Sequence, residues 1–523
     1  MTTIGRETST IRSGLVSRYP KGCLSVTGPE LTSMAVITNF NCLHKKYGEY
    51  VEAIRAQLAL FEDSLRSRGI FCQVVDISDD ATMSSIGAAA VPDISDEEST
   101  KKAIEATCEI LNPAYITLIG GPDVVCHQNL TNPFYHPPYD VDEIIPSDLP
   151  YAAQSNYSPE ISSHLSIVRA VGRIPDIPGA AEPSLLLAAL KAAAMPIPSS
   201  DRIFGLSTDT WAVSTRLSIA SLGRKFDLHL SPSEGPVWTD RQMRRNLHFI
   251  NCHGGPIYPH FLGEPGHDDE PKAHSANLIS NRIAAGTVAV AECCYGAEIY
   301  DPFLGSGDMG IALTYIEGGA SAFFGSTNIA YGPPDRNDQA DLMCADFMRS
   351  VISGTTTGYA CAEARQRYIA GKPILTAIDL KTIAQFTLLG NPAAAILPTS
   401  HSVLGKSSRV LVSEPSLRQL NLVSNGRGLS YSAAYTVPSR AANQHGASPE
   451  LLQVARSYGF FDTSVQAFDV ITPIEGKAFR RNIRVQTFSK RATSALSSLP
   501  ATEVLEVIFD DLDILSSATT ASK

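Results

Sequence analysis

No stretch of this chain reaches the ~18 uninterrupted apolar residues that a membrane span needs. The first 21 residues are polar and carry no apolar centre of the kind a secretory leader has, so a cytoplasmic protein is expected. Paired-cysteine motifs are missing too. Ten cysteines lie scattered over the first 361 residues with no Cys-x-x-Cys among them, which argues against a disulfide framework or a zinc ribbon. Positive charge is scarce: 42 Lys and Arg stand against 53 Asp and Glu, a net charge of -11. That excludes the clustered basic surface a nucleic-acid binder requires. There is no Gly-x-Ser-x-Gly, so the nucleophile elbow of an esterase is absent.

With 523 residues, 44% hydrophobic and 18% charged, the chain has an ordinary globular composition and is too long for one core. Composition breaks divide it into a polar lead (1–30), an α/β subdomain (31–198), a second α/β subdomain (199–400) and a smaller mixed or β-rich region (401–523). In the first subdomain, strands are predicted at Met34 to Thr38, Ile70 to Asp76 and Tyr115 to Gly121. They alternate with helices at Tyr50 to Arg68 and Glu97 to Leu111, a pattern that predicts a parallel sheet wound with helices. A long loop rich in Pro, Tyr, Asp and Ser runs from 129 to 163, and a further strand is predicted at Ile167 to Arg173. Beyond 400, strands are predicted at Arg409 to Val412, Val465 to Val470 and Asn482 to Thr487, with a helix at Ser448 to Tyr458.

The chemistry concentrates between residues 247 and 296. Two stretches, Leu247-His248-Phe249-Ile250-Asn251-Cys252-His253-Gly254-Gly255 and Thr287-Val288-Ala289-Val290-Ala291-Glu292-Cys293-Cys294-Tyr295-Gly296, read as buried-strand patterns that each end in a reactive side chain. Function in such sheets collects on the loops past the carboxyl ends of the strands. A free thiol is mostly protonated at neutral pH, and a neighbouring imidazole can take its proton and later return one to a leaving amine. His253 and Cys294 are therefore the candidate base and nucleophile, with Cys293 packing inward. The backbone amides of Gly254 and Cys294 are candidates to hold an oxyanion.

An apolar strand ending in His-Gly followed by one ending in Cys resembles the caspase-type cysteine peptidases. The surrounding text is similar to the gingipain-like branch at Ile116-Thr117-Leu118-Ile119-Gly120-Gly121, Ser147-Asp148-Leu149-Pro150-Tyr151-Ala152, Val171-Gly172-Arg173-Ile174-Pro175, Phe324-Gly325-Ser326-Thr327 and Leu388-Leu389-Gly390-Asn391-Pro392. The resemblance covers roughly residues 35 to 400. It implies a caspase-like αβα sandwich in two subdomains, endopeptidase activity by the His253/Cys294 dyad, no cofactor, and a protein or peptide as partner. The family's acidic residue before Val-Gly-Arg falls here on Val168, so no third catalytic member is read from that position.

A substrate pocket is expected beside the nucleophile, with Glu292, Ser326, Thr327, Tyr331 and Asp335 on its wall. Asp335, Asp308 and Glu298 are candidates to pair with an Arg or Lys side chain before the scissile bond. Two other readings use the same residues. His253, His260, His267 and His274 recur every seven residues and would suit a metal-dependent hydrolase if the loop gathered them. A caspase-like scaffold that binds peptide without cutting it is the second. The loop from Pro256 to Ser280 could cover the cleft, leaving room for an activating protease or a regulatory partner.

Overall fold

The computed structural model describes residues 32–92, 94–264, 271–396, 434–438, 456, 461–474, 477–491, 502–509 and 514–522. Its centre is a ten-stranded sheet. In chain order the strands are β1 (Thr32–Thr38), β2 (Ile70–Asp76), β3 (Tyr115–Ile119), β4 (Ala170–Ile174), β5 (Arg202–Thr208), β6 (Lys225–Ser231), β7 (Leu247–Asn251), β8 (Val288–Ala291), β9 (Ala322–Ser326) and β10 (Phe386–Gly390). Their spatial order is β2-β1-β3-β4-β10-β9-β8-β7-β5-β6. Neighbours pair in parallel from β1 to β4 and from β5 to β9. Strand β10 runs antiparallel to β9 and meets β4 through Leu389 and Arg173, so the two expected subdomains are halves of one continuous sheet.

The central strands β3, β4, β7, β8, β9 and β10 are buried at every position, which is why they read as mainly apolar runs. Helices cover them. Val51–Ser67 presents Val51, Ile54, Leu58, Phe61 and Leu65 to the core, and Gly69 follows it with φ +78, a backbone state that glycine adopts without strain. Glu97–Leu111 starts on an Asp96 side chain that accepts from the Ser99 amide. The fold class is thus α/β with a mostly parallel sheet between helical layers. Among the described residues no helix is long and apolar enough to cross a membrane.

Three parts of the chain depart from the sequence pattern. β6 is an edge strand with Lys225, Asp227 and His229 along it, so burial never imposed an apolar run. Helices Thr357–Gly371 and Ala377–Gln385 were hidden because polar residues point inward. All nine residues of the second are buried, Lys381 and Gln385 included. Within the loop from 129 to 163, two short strands, Gln128–Thr131 and Ile144–Ser147, pair with each other.

The strands at 434–438, 461–474, 477–491, 502–509 and 514–522 form an antiparallel series whose outer members pair with Ile374–Leu375 and Tyr331–Gly332. The predicted strands at Val465 to Val470 and Asn482 to Thr487 fall inside this series. The ones at Arg409 to Val412 and the helix at Ser448 to Tyr458 lie outside the described residues, apart from the single position 456.

Candidate active site

β7 and β8 are neighbours in register, with Ile250 opposite Ala291. His253 and Cys294 therefore each lie three residues beyond the same rung. The chains come closer still after that rung. A Cβ placed on Gly254 would sit 1.9 Å from the Cys294 carbonyl oxygen and 2.9 Å from its carbonyl carbon. Only a residue without a side chain lets the two strand ends touch.

His253 is held on three sides. Its amide donates to the Leu262 carbonyl at 3.1 Å, and the Leu262 amide donates back at 2.8 Å. The Trp211 ring meets the imidazole edge-on at 4.7 Å, and the indole N–H is anchored on the Gly332 carbonyl at 3.3 Å. Nε2 is buried without a hydrogen bond, and the nearest carboxylate, Glu264, lies 3.9 Å away. Glu264 is held below the usual carboxylate range, to about 2. Burial works against this, and the contacts with His253 and Thr210 outweigh it.

The two vicinal cysteines differ. Cys293 points into the core, where its sulfur accepts from the Cys252 amide at 3.3 Å, and burial pushes its thiol well up. Cys294 lies on the turn, 5% exposed, its thiol donating to the Ala330 carbonyl at 3.6 Å. Burial pushes that thiol up to about 12, so in this conformation it is protonated and covered. The Gly254 and Cys294 amides donate to no described residue.

Tyr295, next in the chain, takes φ +53, a conformation few non-glycine residues adopt. Its hydroxyl donates to Asp142 at 2.6 Å, and its amide to the Asn328 carbonyl at 2.9 Å. Asp142 also accepts from the Ile329 amide at 2.8 Å and from fully buried Lys381 at 3.0 Å. Lys381 pairs at the same time with Asp140, which accepts from Tyr331 at 3.0 Å. Asp142, Asp140 and Lys381 thus tie the turn at Cys294 and Tyr295 to the 326–332 segment. Sequence reading missed them because two sit in a loop and the third in an unrecognised buried helix.

Beside the turn is a cavity of about 610 Å³. Glu97, Asp142, Glu143 and Glu298 line it together with His127, Tyr295 and Thr327, and among the described residues no Lys or Arg does. Glu298 accepts from the Ile257 amide at 2.6 Å, and burial pushes its carboxyl up to about 7. Of the residues expected on the pocket wall, Thr327 lines this cavity. Glu292, Ser326 and Tyr331 are buried instead and do not line it, Ser326 being the last residue of β9 and Tyr331 being paired with Ser522. Asp335 and Asp308 are exposed, Asp335 with Arg336 at 3.2 Å. Val168, where an acidic partner for the histidine was sought, instead donates its amide to the Ala152 carbonyl.

The histidine series is dispersed. His274 is fully buried between the Trp238 N–H at 3.0 Å and the Tyr315 hydroxyl at 2.9 Å, and His260 lies tilted against the Tyr258 ring at 5.0 Å. His267 lies outside the described residues. Among the described residues no group of three His, Cys, Asp or Glu gathers to hold a metal.

No family model matches the chain, and no curated protein matches it. Among solved structures it is similar to one described as "Structure of Protease", at 11% identity and TM-score 0.45, over 94% of this chain and 97% of that one. It is also similar to the complex of Porphyromonas gingivalis RgpB pro- and mature domains, at 10% identity and TM-score 0.46, over 93% and 99% of the two chains. A third is the Saccharomyces cerevisiae separase–securin complex, at 12% identity and TM-score 0.30, over 58% of this chain and 18% of that one. These likenesses carry no argument about the reacting groups, which rests on the geometry above.

Proposed function

We propose that the chain is a caspase-like cysteine endopeptidase, with His253 as base and Cys294 as nucleophile, cutting protein substrates at limited sites after Arg or Lys. The observation that carries this reading is the shared register of β7 and β8, which brings the two residues past one rung with Gly254 packed on the Cys294 backbone. In the reaction, His253 takes the thiol proton and the sulfur bonds to the scissile carbonyl carbon. The Gly254 and Cys294 amides receive the oxyanion. The C–N bond then breaks as His253 returns the proton to the leaving amine, and water releases the acyl group from sulfur.

The preference for a basic residue is supported by the cavity next to Tyr295, where Glu97, Glu143 and Glu298 line the wall and Asp142 is already paired with Lys381, with no Lys or Arg among the described lining residues to oppose a cationic side chain. Of the three candidates for that pairing, Glu298 is the one on this wall. None of the nine described cysteines is joined in a disulfide, which fits a reducing compartment such as the cytoplasm.

A panel of peptide reporters tests the assignment. Cleavage after Arg or Lys is expected, abolished by a thiol alkylator and unaffected by a strong chelator. Efficient cleavage after Asp or an apolar residue alone would overturn the specificity, and loss of activity to the chelator would favour a metal hydrolase.

One observation favours the non-catalytic scaffold: the Cys294 thiol is covered by the Ala330 carbonyl. On the peptidase reading the 328–332 segment shifts to uncover it. A thiol that resists alkylation even with saturating Arg peptide would support the scaffold.

A further inference from the structure

We propose that Glu264 is the positioning residue of the dyad, fixing the tautomer and plane of the His253 ring; this rests on the peptidase reading. His253 and Glu264 stand on the two arms of one narrow hairpin. The backbone pair between His253 and Leu262 sets the arms side by side, and Glu264 follows Leu262 by two residues. The His253 Nε2 atom is fully buried and has one acidic neighbour, Glu264 Oε1, at 3.9 Å. Nδ1 is the nitrogen left for the cleft.

The carboxylate is built into its place. Its other oxygen, Oε2, accepts from the Thr210 amide at 3.2 Å, and the Glu264 amide donates to the Ser231 carbonyl at 3.2 Å. Gly263, just before it, lies so close to Ser231 that a Cβ there would stand 2.3 Å from the hydroxyl oxygen. The hairpin end is thereby pinned against β6, with the side chain reaching toward the imidazole.

An anion on the Nε2 side favours the tautomer that carries its proton on Nε2, leaving the Nδ1 lone pair free to accept the thiol proton. Once His253 is protonated, the same carboxylate stabilises the imidazolium across a contact that needs to shorten by about 1 Å to become a hydrogen bond. Glu264 touches neither substrate nor sulfur and acts only through the ring. It also supplies from the hairpin the acidic partner that the chain lacks at Val168.

The test uses the full-length protein with Glu264→Gln, Glu264→Asp and His253→Ala. Two readouts are taken: steady-state cleavage of an Arg-peptide reporter, and the rate of Cys294 alkylation by iodoacetamide followed by intact mass. Glu264→Gln is expected to lower kcat by about 10²-fold with KM within twofold. It should slow alkylation toward the His253→Ala floor at temperatures where the variant stays folded, and Glu264→Asp should restore part of both rates. Glu264→Gln with wild-type kcat and wild-type alkylation would overturn the proposal. So would an equal loss in the Gln and Asp variants accompanied by a lowered melting temperature, which marks a structural role. If no variant, wild type included, cleaves any reporter, the peptidase reading fails. The alkylation series then still decides whether Glu264 acts on the dyad.

Discussion

Two polar clusters sit among the loops of this sheet, and they are built on opposite terms. The first is Asp148 with Arg173 and His127. Arg173 is fully buried; its Nε and one terminal nitrogen bond Asp148 at 3.0 and 2.6 Å, and the other terminal nitrogen donates to the carbonyls of Gly120 and Val125. Asp148 also accepts from Thr387 and pairs with His127 at 3.0 Å. Burial alone would push the Asp148 carboxyl up, yet Arg173 and His127 hold it far below the usual range. The second cluster is His253, Cys294 and Glu264. Here the closest imidazole-to-carboxylate contact is 3.9 Å, and the thiol makes one long contact to a carbonyl. A saturated cluster locks loops in place; one with slack keeps groups available for bonds that form during a reaction.

The sharpest way to break this contrast is at the sulfur. Cys294→Ala should lower reporter cleavage by at least about 10³-fold while the denaturation midpoint stays put. Comparable activity in the variant would move the nucleophile elsewhere. Arg173→Met should do the converse, leaving Asp148 buried without its main partner at a cost of about 3 to 5 kcal/mol. Urea denaturation reads that loss, and turnover per folded molecule should remain near wild type. If stability hardly changes, the saturated cluster is not holding the loops.

Gly254→Ala tests the contact between the strand ends. The added methyl must displace the Cys294 backbone, and a shift of that size should cost about 10²-fold in kcat. A variant with unaltered kcat would mean the two loops are not coupled. The smallest effect belongs to Glu298, raised by burial from its ordinary value of 4.5 to about 7. Between those values the folded state binds more protons than the unfolded one, so stability falls as pH rises from about 4.5 to about 7 and levels off above. Glu298→Gln should remove that slope and gain about 1 to 2 kcal/mol at pH 8, after discounting for solvent screening. Denaturant midpoints at pH 5 and pH 8 check it. Parallel pH dependence in wild type and variant would place the slope on another group.

The legible parts of the fold were those whose burial writes a periodic signal. Glu97–Leu111 and Ile70–Asp76 match the sequence reading at both ends, and β7 and β8 stood out as apolar runs because helices cover both faces. Ala377–Gln385 was illegible for the opposite reason. Its buried Lys381 is satisfied by Asp140 and Asp142 from more than 200 residues away, and a polar residue with a distant partner looks like a surface residue in a linear pattern. Within the site, Cys293 turns inward, as its place next to the strand suggested, while Cys294 sits on the turn beyond it. Glu264 carried no signal at all, since nothing local distinguishes it from any other loop carboxylate.

By itself the sequence determined which residues could react and which strands would carry them. Residue type sets intrinsic chemistry, and the hydrophobic period sets which segments are buried. Only the tertiary structure decided what those residues face. It placed Asp142 under Tyr295, Glu264 behind His253, and the Ala330 carbonyl over the Cys294 thiol. Those neighbours are fixed by sheet order and loop closure, which join positions far apart in the chain and leave no local trace.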